Sequence, residues 1–189
     1  MLLAERLRAA GRSVVTTREP GGTAGAEAIR ALVVQGAADR WAPSTELLLL
    51  VAARDDHVRR VIQPALAAGS WVLCDRFVDS TRVYQGLAGG IGVDRVDRLH
   101  ELLLPDLRPD LTLLLDVEPE TGLRRRGIGG AEGRFESKGA AFHRQVRDGF
   151  RSLAAREPGR FATVEAQGAV SDVAEAVWAV VSARLPVGG

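Results

Sequence analysis

Three stretches of this sequence gather arginine, carboxylate and glycine at spacings that suit phosphate chemistry. The first is TREPGGT at 17–23. Arg18 offers a guanidinium fork for a phosphate, and Glu19 a carboxylate for a hydroxyl, a metal or a water. Pro20 ends the preceding run, and Gly21 and Gly22 permit backbone conformations closed to other residues. Pro-Gly-Gly alone is an ordinary strand-to-helix turn, and the Arg and Glu beside it point to a site. The second stretch, DRFVDSTRVYQG at 75–86, sets Asp75, a metal-ordering carboxylate, next to Arg76, a second phosphate fork. Ser80, Tyr84 and Gln85 follow near one helical face, where a Tyr and a Gln can read a sugar and a base edge. The plainer alternative is an N-capping Asp with a surface helix. The third stretch, GLRRRGIGGAEGRFE at 122–136, carries Arg124, Arg125, Arg126 and Arg134 on a Gly-rich segment. A charge run is ordinarily a solvated face. Arginines on a Gly-hinged segment are also what a phosphoryl-transfer lid requires, because they stabilise charge on the transferred group and exclude water.

Other chemistries find little support. His57, His100 and His143 stand singly without metal-ligand spacing, and no Ser-His-Asp or Cys-His set is evident. The Gly-rich pieces at 86–92 and 124–134 do not form a G-x-G-x-x-G after a strand, which argues against a dinucleotide-binding site. A net charge of +1 favours neither nucleic acid nor a membrane surface as partner. Of the 25 basic residues only Lys138 is a lysine, a skew that base composition can produce as readily as phosphate binding. The one cysteine, Cys74, lies in the apolar run WVLCD, so no internal disulfide forms and a buried, inert thiol is expected. The longest apolar stretch, ELLLLVAA, is far short of the roughly 20 residues a membrane span needs. With no signal-peptide pattern at its start, the chain is expected to be cytoplasmic and to form a single domain over 1–189.

The elements that must position these residues alternate along the chain. Four short runs, SVVTT at 13–17, WVLCD at 71–75, LTLLLDV at 111–117 and FATVEA at 161–166, are continuously apolar, the pattern of parallel strands buried on both faces. Helical patterns fall at 25–34, 44–68, 79–87, 94–104, 119–126, 136–156 and 171–184. The chain opens on another helix, with Leu3, Leu7 and Ala10 at helical spacing and Gly11 as its C-terminal cap. The alternation predicts an α/β fold with a parallel sheet, whose ligands gather beyond the carboxyl ends of the strands. All three motifs follow such ends or lie shortly after them.

Taken together, TREPGGT, the AAR at 52–54, DRFVDSTRVYQG, LLLDVEPETGLRRR and GRFESKGAAFHRQVRDGFRSLAAREPGRF resemble thymidylate kinases, in order and at similar spacing, over essentially the whole chain. The resemblance implies a three-layer α/β/α fold of the P-loop nucleoside monophosphate kinase type. It implies transfer of a phosphoryl group from ATP with Mg²⁺ to dTMP, giving dTDP for dTTP synthesis, by a homodimer. By the same resemblance Arg18 and Arg76 hold the dTMP phosphate, with Glu19 beside them, and Arg54 hydrogen-bonds thymine. Tyr84 and Gln85 contact deoxyribose and base, with Ser80 near them. Asp75 orders magnesium, and Arg124, Arg125 and Arg126 are the catalytic lid set that reaches the ATP phosphates.

Three departures modify this expectation. Leu50 stands where the family commonly stacks a phenylalanine on thymine, a change worth about 0.5–1.5 kcal/mol of base affinity. Gly89 stands where many members carry an arginine. Most consequentially, no G-x-x-x-x-G-K-[ST] phosphate loop occurs in the 189 residues. The family's first strand, central in its sheet, and that loop are expected to be missing, with the opening helix being the one that normally follows the loop. On this reading the record starts at an internal methionine, and the chain as written is a poor kinase. The alternatives are a non-catalytic nucleotide-binding relative and another nucleoside monophosphate kinase with altered base choice.

Overall fold

Helix α1 (Leu2–Ala9) buries Ala4 and Leu7 and stops at Gly11, whose φ of +81° is open to glycine. The amides of Gly11 and Arg12 return to the carbonyls of Arg8 and Leu7, closing the end as a Schellman motif. The chain then enters β1 (Val14–Arg18), α2 (Ala24–Val34) and α3 (Pro43–His57). Thr23 caps α2 by accepting from the Ala26 amide at 3.0 Å, and Pro43 starts α3 where no amide is needed. This computed structural model describes residues 2–105, 107–122, 134–135 and 138–187.

The helix expected over 44–68 is one continuous run with a change of winding. A π-helical segment (Val58–Ile62) joins α3 to α4 (Gln63–Ala67). After β2 (Trp71–Asp75), the short α5 (Val78–Thr81) passes into a second π-helical segment, Arg82–Leu87. Then come α6 (Val93–Leu103), β3 (Thr112–Asp116), α7 (Gly139–Arg156), β4 (Phe161–Glu165) and α8 (Val170–Arg184). Residues 119–122 are also helical. No helix among the described residues is long and apolar enough to cross a membrane.

The strands pair in parallel, β1 with β2 and β3 with β4, and no ladder among the described residues joins one pair to the other. Both pairs feed one core. Val14, Trp71, Leu73, Leu113 and Val164 pack with Leu7 of α1 and with Val177 and Val181 of α8. On the opposite face Val72 and Phe77 meet Val58 and Ile62. Helices therefore cover the strands on both sides, which gives the expected α/β/α layering. The burial expected for the strands comes nearest to holding in β4, where Phe161, Ala162 and Val164 are buried but Thr163 and Glu165 are exposed. Residues 71–74 of β2 are only half-buried and Leu115 of β3 is exposed, although β4 too has one ladder partner among the described residues, so the difference lies in the helices packed on each strand's faces.

Candidate active site

Parallel pairing of β1 with β2 sets Arg18 opposite Asp75, and the Glu19 amide donates to the Asp75 carbonyl at 2.9 Å. The ends of these two strands thus bring Arg18, Glu19, Asp75 and Arg76 together. Arg18 is exposed, and its Nη2 donates to both oxygens of Glu27 at 3.0 and 3.1 Å. The Gly22 amide, joined by Arg18, holds the Glu27 carboxyl below its ordinary range against the opposing effect of burial. Asp75 is also exposed, and its carboxylate makes no hydrogen bond or ion pair among the described residues. Arg76 adopts a left-handed backbone, φ +66°, which places its guanidinium 5.1 Å over the Tyr84 ring. Cys74 Sγ donates to the Arg76 carbonyl, and burial pushes its pKa far up, consistent with an inert, only half-buried thiol.

Glu19 turns inward. It is 5% exposed, and its Oε2 accepts from Arg54 Nε at 2.8 Å while Oε1 lies 3.3 Å from His57 Nδ1. The offered hydroxyl, metal or water partner is therefore displaced: both carboxylate oxygens already serve the protein, and Glu19 acts by holding Arg54. His57, fully buried, lies with Nε2 2.7 Å from the Thr17 hydroxyl. A Cβ on Gly22 would come 2.4 Å from the His57 ring, and its φ of +91° is itself disfavoured for other residues, so this glycine of TREPGGT is needed for close approach. Arg54, 3% exposed, donates through Nη2 to Thr81 Oγ1 at 2.7 Å and lies over Phe77. Its remaining nitrogen, Nη1, is buried without a hydrogen-bond partner among the described residues.

A second cross-link runs parallel to the first. Glu46, Leu50 and Arg54 recur every fourth residue of α3 and so share one face. Arg54 bonds Thr81, and Glu46 Oε1 accepts from Gln85 Nε2 at 2.7 Å. Leu50, half-buried, lies between the two links. Ser80 is half-buried and Gln85 buried, while Tyr84 meets Phe135 and Phe142 edge-on at 5.7 and 5.9 Å. This arrangement offers an apolar strip bounded by a guanidinium at one end and an amide at the other, with two arginines and a carboxylate at the adjoining strand ends. Such a strip suits a base, a sugar and a phosphate in line. A separate cleft of about 560 Å³ lies between α3 and α6, lined by Leu47, Leu48, Ile91 and Leu99 with Arg95 and Arg98, and none of the sequence-predicted site residues borders it.

Arg124, Arg125 and Arg126 lie outside the described residues, as does most of the expected lid at 122–136. Sequence reasoning missed Glu46, His57 and Thr81. Their partners are 27 to 88 residues away, so no local pattern marks them.

The fold and strand-end chemistry define a nucleotide-binding kinase fold of the P-loop nucleoside monophosphate kinase class. The model of the thymidylate kinase family matches residues 1–177, and the chain belongs to that family. It is 52% identical over 183 residues to the thymidylate kinase of Caulobacter vibrioides, covering 97% of this chain and 88% of that protein. It is also 52% identical over 185 residues to the thymidylate kinase of Ruegeria pomeroyi, covering 97% and 87%. The crystal structure of thymidylate kinase from Ehrlichia chaffeensis superposes with a TM-score of 0.75 at 33% identity, covering 95% of this chain and 88% of that one.

Proposed function

We propose that these residues form the dTMP side of a thymidylate kinase site and that the reaction served is phosphoryl transfer from ATP to dTMP, giving dTDP for dTTP synthesis. One observation carries the reading: a guanidinium, Arg54, is locked in place by Glu19 and Thr81, with a buried Nη1 left over, at the end of the apolar strip that starts at Gln85. A buried donor without an acceptor costs about 1–3 kcal/mol, which a thymine carbonyl recovers on binding.

In this reading Arg18 and Arg76 neutralise the dTMP phosphate, Leu50 covers the base, and Tyr84, Gln85 and Ser80 contact sugar and base. A phosphate oxygen of dTMP attacks the γ-phosphorus of ATP, the bond from that phosphorus to the β-γ bridging oxygen breaks, and ADP leaves. Arg124, Arg125 and Arg126 are assigned to the charge on the transferred group. Among the described residues no group of three or more His, Cys, Asp or Glu is arranged to hold a metal. An exposed Asp75, without a partner among the described residues, nevertheless suits magnesium, which binds through one or two carboxylates and keeps its other positions for phosphates and water. Magnesium held there would supply charge neutralisation of the ATP phosphates.

A second reading, a relative that binds dTMP without turning it over, is favoured by one fact: no G-x-x-x-x-G-K-[ST] run occurs in the 189 residues. The expected behaviour of this chain is accordingly dTMP binding with weak ATP binding. Calorimetry with each nucleotide tests it. Arg76→Ala should weaken dTMP binding by about tenfold or more, the value of a charged hydrogen bond, and parent-like affinity in that variant would remove Arg76 from the site. Formation of dTDP from ATP–Mg²⁺ by this chain would exclude the second reading. A faster reaction with dCMP or AMP would instead support altered base choice. The homodimer is read by light scattering as twice the chain mass.

A further inference from the structure

Arg134 is buried and heavily engaged. Its Nε and Nη1 donate to the carbonyls of Val33 and Ala38, both at 2.8 Å, and its amide donates to Val34 at 3.0 Å. It thereby caps the last carbonyls of α2 with a cation, a favourable end for a helix. Its Nη2 also donates to Glu46 Oε2. Glu46, 5% exposed, uses its other oxygen for Gln85 Nε2. The result is a directed chain: α2 carbonyls, Arg134, Glu46, Gln85.

Direction matters because a carboxylate only accepts. Glu46, held by Arg134, can be bonded by the nitrogen of the Gln85 amide and not by its oxygen, so the amide is fixed in one of its two flip states. Its Oε1 is the atom turned away from Glu46, and that oxygen accepts no hydrogen bond among the described residues. We infer that Arg134 and Glu46 are positioning residues that fix Gln85 as a hydrogen-bond acceptor toward the base, and so select a pyrimidine carrying an N3–H over one carrying a bare N3. Thymine presents N3–H beside the O4 carbonyl, and cytosine presents an acceptor N3 beside an amino group. The acceptor at Gln85 and the donor at Arg54 Nη1 match the first edge and oppose the second. This rests on the proposed dTMP site and adds the origin of its base choice.

The test uses calorimetry of dTMP and dCMP with the 189-residue chain, and reads the ratio of the two affinities. Glu46→Gln keeps the shape, but with its oxygen held by the donor-only Arg134 its NH2 faces Gln85 and turns that amide over, so the ratio should fall about tenfold, the order of one buried mismatched hydrogen bond. The exchange Glu46→Gln with Gln85→Glu rebuilds an acceptor-only group at 85, bonded by the new amide, and should restore the ratio. A structural role alone would not produce that rescue. Should Glu46→Gln fail to fold by circular dichroism, Gln85→Met serves in its place, since loss of the amide should lower the ratio to the same level. An unchanged ratio in folded Glu46→Gln or Gln85→Met overturns the inference and leaves the dTMP site standing. A parent chain that binds no dTMP overturns both.

Discussion

Arg160 grips both oxygens of Asp79, Nη1 to Oδ2 at 2.7 Å and Nη2 to Oδ1 at 2.8 Å. Thr112 donates to the same carboxylate at 2.9 Å, and Arg82 reaches it at 3.2 Å while also pairing with Glu157 and Asp97. This knot ties α5, which follows the Asp75-Arg76 pair, to the start of β3 and to the turn between α7 and β4. It lies outside the substrate strip and holds the base of the π-helical segment that carries Tyr84 and Gln85.

Removing Arg160 takes two of the four hydrogen bonds from the buried Asp79 carboxylate and leaves it only Arg82 and Thr112, a loss that approaches the roughly 3–5 kcal/mol of a broken buried pair. Arg160→Met should therefore lower the urea midpoint strongly, and Asp79→Asn should do so less, since asparagine still accepts from one guanidinium nitrogen. Equal midpoints for parent and Arg160→Met would show that the knot is dispensable.

The pH dependence has two stages with the same sign. Burial drives His100 below its ordinary 6.5, with Arg54 and Arg108 adding to the effect despite the Nε2 bond to the Leu107 carbonyl. The unfolded chain then takes up the proton first, so stability present above about pH 6.5 declines as pH falls through that value. Burial alone would raise Asp79, but the bonds and charges of Arg160, Thr112 and Arg82 outweigh it and hold the carboxyl low; Glu157 behaves alike under Arg160 and Arg82. Their stabilisation is present above about pH 4 and is lost as pH falls through the lowered native values. Urea midpoints across pH should show both stages, with His100→Gln flattening the upper one and Asp79→Asn the lower.

Leu50→Phe should tighten dTMP by up to about tenfold, the extra value of a stacked ring over its buried area. Leu50 lies midway between the Arg54–Thr81 and Glu46–Gln85 links, so a base bound there must lie against it. Unaltered calorimetric affinity in a folded variant would place the base elsewhere.

Which parts of this were legible in the sequence follows from how local each signal is. The strands at 71–75 and 161–165 and the motifs at their ends stand out because composition and spacing within ten residues define them. Glu19 reads locally as a ligand beside Arg18, yet it turns to Arg54, 35 residues on, and only the packed fold decides that. The helix over 79–87 is legible as helix, but its π winding from Arg82 is not, since so few residues hold no clear period. Expected burial of β2 and β3 on both faces overshoots because apolar composition within a strand carries no record of which distant helices come to cover it.

Gly149 sets the distance between α7 and the segment that carries Tyr84 and Gln85. A Cβ there would lie 2.9 Å from Val83 Cγ1 and 3.2 Å from Leu87 Cδ1. Val83 is fully buried and, being β-branched, has little rotamer freedom with which to yield. Alanine gains about 1 kcal/mol of helix propensity in Gly149→Ala, while overpacking costs about 1–3 kcal/mol, so the balance is a net loss near 1 kcal/mol. The displaced segment should also weaken dTMP binding, which a loss of stability remote from the site would not do. Gly159→Ala supplies the comparison, since a Cβ there meets nothing within 4 Å. Thermal melts and dTMP titrations of the two variants should separate, with Gly149→Ala reduced in both and Gly159→Ala in neither; a Gly149→Ala protein that melts and binds like its parent would show that α7 does not set the position of Gln85.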